Sequence, residues 1–349
     1  MNRNYLFHAI LVITLAILIT GCLNNQPTTQ SHKVKTLAGT SYFGNHFSGG
    51  FGIITPEEVA KAASEGIQVA FLYNYPASPG SSLEQALKAH NMTVADAFIS
   101  SQLYRYQRYY LCVTRHLSCS ATYANETEAA TYAAIRAHLQ KVTKDNSLVK
   151  GYWVLDDQID VSLYGALKNI LQNIHKLIQQ YTPGLPAICG FGTQINFGHV
   201  LAWRPRIALD FSPQGCDMVG LYVYASSSAK NPAPAATSYD WSMSKLLPAI
   251  FSSLQQQGWN ITKTPLIGIG HAWGLHTGEG EYTALTPQSM VAQSISFCQH
   301  GAIGLAFYGW ADSSFGATTQ TPMNSPAIET GIRNSIAACK QYWSTHPHP

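Results

Sequence analysis

Two adjacent carboxylates, Asp156 and Asp157, stand directly after the apolar run Tyr152–Leu155. A near-continuous apolar run is typical of a parallel strand that is covered on both faces, and ionised carboxylates are costly to bury unless they are paired or used. In barrels of alternating strands and helices, catalytic groups lie at the carboxyl ends of the strands. The pair therefore predicts the centre of a site for acid–base chemistry, in which each carboxylate raises the pKa of its like-charged neighbour. The alternative is a structural pair that caps a helix or fixes a loop.

Hydrogen-bonding and aromatic side chains follow most of the other predicted strands. Neutral donors and acceptors of this kind suit a polyhydroxylated ligand, and aromatic faces suit the stacking of its rings. The residues predicted to contact such a ligand are Tyr42, Asn74, Tyr222, Tyr224, His271, Trp273 and Trp310. The alternative for His271 is a hydrogen-bonded histidine in the core or at the rim, and the two tryptophans are equally compatible with packing.

The elements that must position these residues repeat in one order: apolar strand, loop, helix. Helix start signals are clear at Thr55-Pro56-Glu57-Glu58, which predicts a capping box, and at Thr286-Pro287. A polar, tyrosine-rich insertion is predicted at 100–123, part of which could be a helix covering the mouth. The predicted strands are Thr36–Phe43, Ile67–Leu72, Val94–Ile99, the strand before Asp156, Leu185–Phe191, Cys216–Tyr224, Pro265–Gly270 and Ala302–Phe307.

Eight strand–helix units without room for a second domain predict a single (β/α)8 barrel over residues 36–343. In that barrel Asn45 and His46 would follow the first strand and lie at the mouth with Tyr42. The alternative is a doubly wound open sheet, which normally carries a phosphate-binding glycine loop after its first strand. The stretch Gly44–Gly52 lacks the GxGxxG spacing, which favours the barrel.

The run Trp153-Val154-Leu155-Asp156-Asp157-Gln158 resembles the strand-four motif, Trp-x-Leu-x-Asn-Glu-Pro, of a large clan of retaining glycoside hydrolase barrels. That resemblance implies an acid/base role for Asp157 and a sugar-contacting role for Asp156. It also implies that aromatic residues at the ends of strands six and eight, such as Tyr224 and Trp310, hold a sugar ring. The implied function is a glycoside hydrolase-like barrel that acts on a glycan without a metal or another cofactor.

One departure from that clan concerns its nucleophile, a glutamate at the end of strand seven, where this chain has Gly270 and His271. Hydrolysis needs a second carboxylate about 5 to 9.5 Å from the first. Asp312 is the predicted opposing carboxylate, with Glu279 and Glu281 next. Asp156 and Asp157 could also act together with help from the substrate, as adjoining acids do in chitinase-like barrels. A saccharide-binding barrel without catalysis, serving in surface capture or adhesion, remains the alternative, and a metal-dependent hydrolase is a weaker one.

The first residues predict a targeting signal rather than part of the folded domain. A positive start at Arg3 and an apolar stretch at 6–19 indicate a signal peptide over 1–21. The sequence Ile19-Thr20-Gly21-Cys22 resembles the lipobox of bacterial lipoproteins, which implies cleavage before a lipidated Cys22. Residues 22–35 are predicted as a polar tether and 344–349 as a disordered tail. The predicted location is the cell envelope, on the outer membrane, its periplasmic face or the cell surface. A short N-terminal membrane anchor is the alternative.

The charge composition excludes one class of binding partner, and the cysteine count predicts disulfides. The net charge is +3 and charged residues make up 11% of 349, without a basic run, which excludes the usual footprint of a nucleic-acid binder. Six cysteines besides Cys22 suggest disulfides in an oxidising compartment, although fifteen pairings are possible. The predicted pairs are Cys112–Cys119, Cys298–Cys339 and, by elimination, Cys189–Cys216. A metal site is the alternative, but neither CxxC nor HxxxH spacing occurs.

Overall fold

The structure is a computed structural model, and it describes residues 43–44, 46–75, 79–114, 120–145, 147–156, 166–191, 211–222, 247–273, 286–310 and 320–346. Within these ranges strands and helices alternate. The strands are β1 (Phe47–Phe51), β2 (Val69–Leu72), β3 (Thr93–Asp96), β4 (Val149–Leu155), β5 (Ala187–Phe191), β6 (Met218–Tyr222), β7 (Leu266–His271) and β8 (Ala302–Tyr308). The helices are α1 (Pro56–Ser64), α2 (Ser82–Ala89), α3 (Phe98–Thr114), α4 (Glu128–Asp145), α5 (Leu167–Tyr181), α6 (Leu247–Gln256), α7 (Pro287–Gln299) and α8 (Pro326–Thr345).

The eight strands form one closed parallel barrel in sequential order, and β1 pairs with β8 to close it. Parallel neighbours cannot be joined by tight hairpins, so helices connect them and cover the outer face. The predicted (β/α)8 barrel is therefore confirmed. One apolar cluster fills the barrel interior and another lies between the strands and the helices.

The predicted helix starts are confirmed at both capping boxes. Thr55 accepts a hydrogen bond from the Glu58 amide at 3.2 Å, and the Glu58 carboxylate accepts one from the Thr55 amide at 3.0 Å. Thr286 similarly accepts from the Ser289 amide at 3.1 Å. These bonds satisfy amides that the first turn of a helix leaves without partners, which is why the sequence signal was reliable.

The first strand lies later in the chain than predicted. The prediction that the first barrel strand spans 36–43 is wrong, because β1 of the barrel is the glycine-rich segment Phe47–Phe51; residues 36–42 lie outside the described residues. A Cβ on Gly49 would stand 2.4 Å from a ring carbon of Phe71, so glycine is needed here for packing rather than for a turn. His46 consequently precedes β1 and stacks on Trp343 of α8, with ring centroids 4.4 Å apart. The predicted place of His46 at the mouth is therefore wrong, and Asn45 lies outside the described residues.

Two helices, α3 and α4, connect β3 to β4 where one helix after an insertion was predicted. The strand ends at Asp96 rather than at Ile99, and α3 then runs for 17 residues through most of the predicted insertion. The inner face of α3 packs against β4. This extra helix matters for the site because β4 carries the acid doublet at its end.

Two disulfides confirm two of the predicted pairings, Cys189–Cys216 and Cys298–Cys339. Cys112 is a free thiol, so the predicted Cys112–Cys119 bridge is wrong; Cys119 lies outside the described residues. The last helix continues to Thr345, two residues into the predicted tail. Among the described helices, the search for a stretch with the length and apolar character of a membrane span finds none.

Candidate functional site

The end of β4 turns Asp156 toward the barrel interior because the strand is irregular. The register with β5 shifts between Trp153 and Leu155, as at a β-bulge. Regular alternation would place residues 153 and 156 on opposite faces, and one extra residue restores them to the same face. The strand ends at Leu155, so Asp156 is the first residue beyond it.

Three donors hold the Asp156 carboxylate. The Tyr222 hydroxyl donates to Oδ1 at 2.5 Å, and the Trp153 indole Nε1 donates to the same oxygen at 3.1 Å. The Tyr73 hydroxyl donates to Oδ2 at 2.6 Å. The donors come from the ends of β2 and β6 and from β4 itself, so three strands fix the orientation of one carboxylate. Oδ2, which takes one of these bonds, retains capacity to accept a further hydrogen bond.

Burial is the main influence on the acidity of Asp156. Removal from solvent raises its pKa above the ordinary value of 3.8, and the hydrogen bonds from Tyr222, Tyr73 and Trp153 oppose that rise. Desolvation disfavours the charged form, whereas donors to the carboxylate favour it. The site therefore contains a carboxyl group whose ionisation depends on its neighbours, which is a frequent property of functional sites.

The Trp153 side chain fills the interior directly beneath Asp156. It is fully buried and lies edge-on to the rings of Phe51 and Phe71, at centroid distances of 5.1 and 5.4 Å. Room for the indole comes from two glycines, since a Cβ on Gly190 would stand 2.2 Å from it and one on Gly220 2.5 Å. The aspartate thus rests on a closely packed aromatic floor, which restricts its motion.

A cavity of about 320 Å³ opens beside Asp156 on the side of α3. Its wall combines apolar, aromatic and hydrogen-bonding side chains: Tyr73, Ser100, Ser101, Leu103, Tyr104, Arg105, Gln107, Leu155 and Asp156. Ligand sites typically measure roughly 300–1,000 Å³ and place a few polar groups in mostly apolar surroundings. The cavity is therefore at the small end of that range.

Gln107 stands out within this wall. It is only 7% exposed, and its Nε2 has no hydrogen-bond partner among the described residues. A buried donor without a partner costs about 1–3 kcal/mol. Gln107 shares the inner face of α3 with Ser100 and Leu103, at the helical spacing of three, four and seven residues. An inner helix face normally carries apolar residues, so the amide is a departure that packing alone does not explain.

A buried pair holds α3 at its start. Asp96, the last residue of β3, accepts a hydrogen bond from the Phe98 amide at 3.0 Å and contacts His138 of α4 at 2.6 Å. The Phe98 ring stacks on His138 at 3.9 Å. Burial raises the pKa of Asp96, and the bond to His138 opposes the rise. The pair joins β3, α3 and α4 in the layer outside the barrel and so positions the helix that lines the cavity.

Several predicted site residues lie outside the described residues: Asp157, Asp312, Tyr42, Tyr224, Glu279, Glu281 and Cys22. The roles assigned to them therefore stay predictions. Of the predicted carboxylates, Asp156 is described, and the structure places it with Tyr222 as expected from their strand ends.

Four further predicted contacts have defined positions. Asn74 is exposed just beyond β2, and His271 ends β7 opposite Tyr308 of β8. Trp273 is 4% exposed, and Trp310 is fully buried in the cluster between strands and helices. The prediction that Trp310 stacks on a sugar ring is therefore wrong, because its buried ring packs near Gly50 of β1 and is not available to a ligand in the mouth.

The sequence analysis did not predict Tyr73 or Trp153 as hydrogen-bond partners of Asp156, and it assigned no role to Gln107. The inward orientation of Tyr73 could have been predicted, because Tyr73 lies two residues after Phe71 and therefore shares its inward face. The contact of Trp153 with Asp156 could not have been predicted, since regular strand alternation, without the register shift of β4, places the two side chains on opposite faces. The signal for Gln107 was the polar stripe on α3, visible only once that segment is taken as a helix. No group of three or more His, Cys, Asp or Glu side chains suitable for a metal occurs in the described part of the chain.

No protein-family model and no curated protein matches this sequence. Solved structures of glycoside hydrolases do match its fold. The β-galactosidase from the psychrophilic Marinomonas ef1 has a TM-score of 0.53 at 8% identity, covering 87% of this chain and 61% of that chain. The class V chitinase from Pseudomonas fluorescens Pf-5 has a TM-score of 0.50 at 8% identity, and the match covers 83% of this chain and 99% of that chain. The endo-β-1,4-mannanase from Thermotoga petrophila has a TM-score of 0.50 at 9% identity, and the match covers 87% of this chain and 78% of that chain. The chain thus spans about three fifths of the β-galactosidase, and at such identities the likeness is one of fold.

Proposed function

We propose that this barrel is a glycoside hydrolase that binds a glycan at the carboxyl end of its strands. The observation that carries the proposal is Asp156, a partly buried carboxyl group fixed by three donors above an aromatic floor and next to a cavity. Such preorganised groups at the strand ends of a (β/α)8 barrel are typical of active sites in this fold. The fold shared with glycoside hydrolases supports the same reaction class.

In this proposal Asp156 binds the sugar and does not transfer the proton. Both of its oxygens already accept hydrogen bonds, and the remaining capacity of Oδ2 suits a sugar hydroxyl. The proton is assigned to Asp157, which follows it directly, and the opposing carboxylate to Asp312. Protonation of the leaving oxygen by one carboxyl group and attack assisted by the other would complete hydrolysis.

Release of sugar from a panel of 4-nitrophenyl glycosides and soluble polysaccharides tests the proposal. We expect Asp157→Asn to lower kcat by 100-fold or more, since general acid–base catalysis contributes about 10²–10⁴-fold. Asp156→Asn should mainly weaken substrate binding. The exposed Glu57→Gln on α1 is a matched control and should leave turnover unchanged. Full activity in Asp157→Asn would remove the assigned acid.

A saccharide-binding protein without catalysis is the second candidate, and the end of β7 favours it. That strand ends with Gly270 and His271, without the carboxylate that the resembled clan uses as nucleophile. Binding of a glycan without turnover during prolonged incubation, unchanged in Asp157→Asn and Asp312→Asn, would decide for this candidate.

We also propose attachment to the cell envelope through a lipidated Cys22, on the basis of the lipobox-like sequence before it. The wild type should incorporate labelled palmitate and begin at Cys22 in its mature form, whereas Cys22→Ser should take up no label. A wild-type chain that keeps residues 1–21 and takes up no label would instead indicate an uncleaved N-terminal anchor.

A further inference from the structure

The cavity beside Asp156 differs from an ordinary packing defect because most of its polar side chains lie on one helix, α3. Ser100, Tyr104 and Gln107 recur at helical spacing on the side of α3 that meets the cavity. Packing defects between a helix and a sheet are normally lined by apolar side chains. A helix that presents a serine, a tyrosine and an amide toward such a space provides groups that a hydroxylated ligand could use.

Gln107 supplies the specific requirement for an occupant. Its amide is buried and its Nε2 has no protein partner among the described residues, although it lines the cavity. A donor in this position must bond to whatever enters the cavity, because nothing else described can satisfy it. An acceptor oxygen on the occupant is therefore expected near Gln107.

Tyr104 provides a ring at the rim of the same cavity. It is 49% exposed, and the Arg108 guanidinium lies 4.9 Å from the ring centroid and donates to its hydroxyl. The cation and the hydrogen bond restrict the ring on one side, which leaves an aromatic surface in a fixed place. Such a surface suits the apolar face of a sugar ring.

The charges around the cavity favour a neutral occupant. Arg105 lines the wall, but its Nε donates to Glu126 at 2.7 Å, so its charge is already compensated. The Asp156 carboxyl group is engaged by three donors, so none of the residues that line the cavity presents an unpaired charge to attract an ionic ligand.

We propose that this cavity, which we call the α3 subsite, binds one neutral sugar unit next to Asp156. Gln107 donates to a hydroxyl or carbonyl oxygen of that unit, and Tyr104 packs against its ring. The inference rests on the proposed saccharide function and adds to it the location of one sugar unit and the absence of charge on that unit. The α3 subsite contributes affinity rather than chemistry, so its side chains should influence KM more than kcat.

Titration calorimetry with neutral tetrasaccharides (cellotetraose, mannotetraose, xylotetraose and chitotetraose) and with the acidic tetragalacturonate tests this. We expect the wild type to bind at least one neutral probe more tightly than the acidic one. Gln107→Leu should weaken that binding about tenfold, as loss of one hydrogen bond predicts, and Tyr104→Ala should weaken it as well. On a cleaved substrate Gln107→Leu should raise KM about tenfold with a much smaller change in kcat.

Stability separates a binding role from a structural one. Because the Gln107 Nε2 has no partner among the described residues, Gln107→Leu should leave the melting temperature unchanged or raise it, whereas a structural glutamine would give a lower value. The near-isosteric Gln107→Met removes the donor without adding a charge or another donor and serves if the leucine variant misfolds. The matched control is Gln140→Leu at an exposed position of α4, which should change neither binding nor stability.

The outcomes distinguish this inference from the proposed function. If the wild type binds a neutral probe and both Gln107 variants bind it equally well, the α3 subsite is refuted while saccharide binding stands. Tighter binding of tetragalacturonate would refute the neutral class. If the wild type binds none of the probes and cleaves no substrate, the proposed function fails and the α3 subsite fails with it.

Discussion

The hydrogen bond from Tyr222 to Asp156 allows the clearest test of the site's construction. We expect Tyr222→Phe to destabilise the fold, because it removes one of the three donors to the partly buried Asp156 carboxyl group, at a distance of 2.5 Å. Hydrogen bonds to charged groups contribute about 1.5–3 kcal/mol to stability. The substitution keeps the ring, which packs at 6.0 Å from Trp153 and 5.9 Å from Tyr308, so most of the apolar packing is preserved.

The assay is a double-mutant cycle measured by urea unfolding at pH 7 with the disulfides intact. The four proteins are the wild type, Tyr222→Phe, Asp156→Ala and the double variant. We expect a coupling energy of about 2 kcal/mol, which with a urea m-value of about 3 kcal/mol/M means that the midpoint shift caused by Tyr222→Phe differs by about 0.7 M between the wild-type and Asp156→Ala backgrounds. The cycle cancels the loss of packing common to both backgrounds.

The pH dependence adds a second criterion. Tyr222→Phe removes a donor that favours the ionised form, so the pKa of Asp156 should rise further above its ordinary value. Once the carboxyl group is protonated in acid, the coupling should fall toward the roughly 0.5–1.5 kcal/mol of a neutral hydrogen bond. A coupling energy within about 0.3 kcal/mol of zero at pH 7 would refute the claim that this bond fixes Asp156.

Two further predictions concern the packing around Trp153 beneath Asp156 and the buried carboxyl group of Glu65. Gly190→Ala places a Cβ 2.2 Å from the Trp153 indole; the displaced ring should lower stability by about 1–3 kcal/mol and reduce any measured turnover. In the control Gly184→Ala the new Cβ meets no atom within 4 Å but the backbone φ is +89°, so stability should fall without a change in turnover. Glu65 is 2% exposed, and burial followed by repulsion from Glu329 raises its pKa from 4.5 to about 7. A raised carboxyl pKa penalises the ionised folded state, so stability should fall as the pH rises from about 4.5 to 7. Glu65→Gln should therefore stabilise the protein by up to about 3 kcal/mol at pH 8 and little at pH 4.5; equal effects at both values would contradict this.

The parts of the fold that local patterns specify were predictable. The capping boxes at Thr55 and Thr286 depend on residues within one helical turn, so they can be recognised without tertiary information. The Cys298–Cys339 bridge followed from two neighbouring terminal helices. The regular order of strands and helices then allowed one simple topology.

The parts that depend on distant contacts were not predictable. A glycine-rich strand resembles a loop until its partner ring is known, and the partner of Gly49 is Phe71, twenty-two residues away. Likewise the inward turn of Asp156 depends on an irregular register between β4 and β5. Periodicity within one segment contains neither fact, because both arise from pairing between strands.

The arrangement separates the support of the carboxylate from the support of the cavity wall. Asp156 is held by strands and by the interior aromatic cluster, whereas Gln107 is held by α3, whose start depends on the Asp96–His138 pair outside the barrel. Because different hydrogen bonds hold Asp156 and the start of α3, substitutions in the two supports should combine nearly additively. Substitutions in the floor should alter stability and turnover together, and substitutions on α3 should alter affinity for the glycan with little effect on turnover. A strong coupling between Gly190→Ala and Gln107→Leu in substrate binding would instead show that the floor and the helix move as one unit.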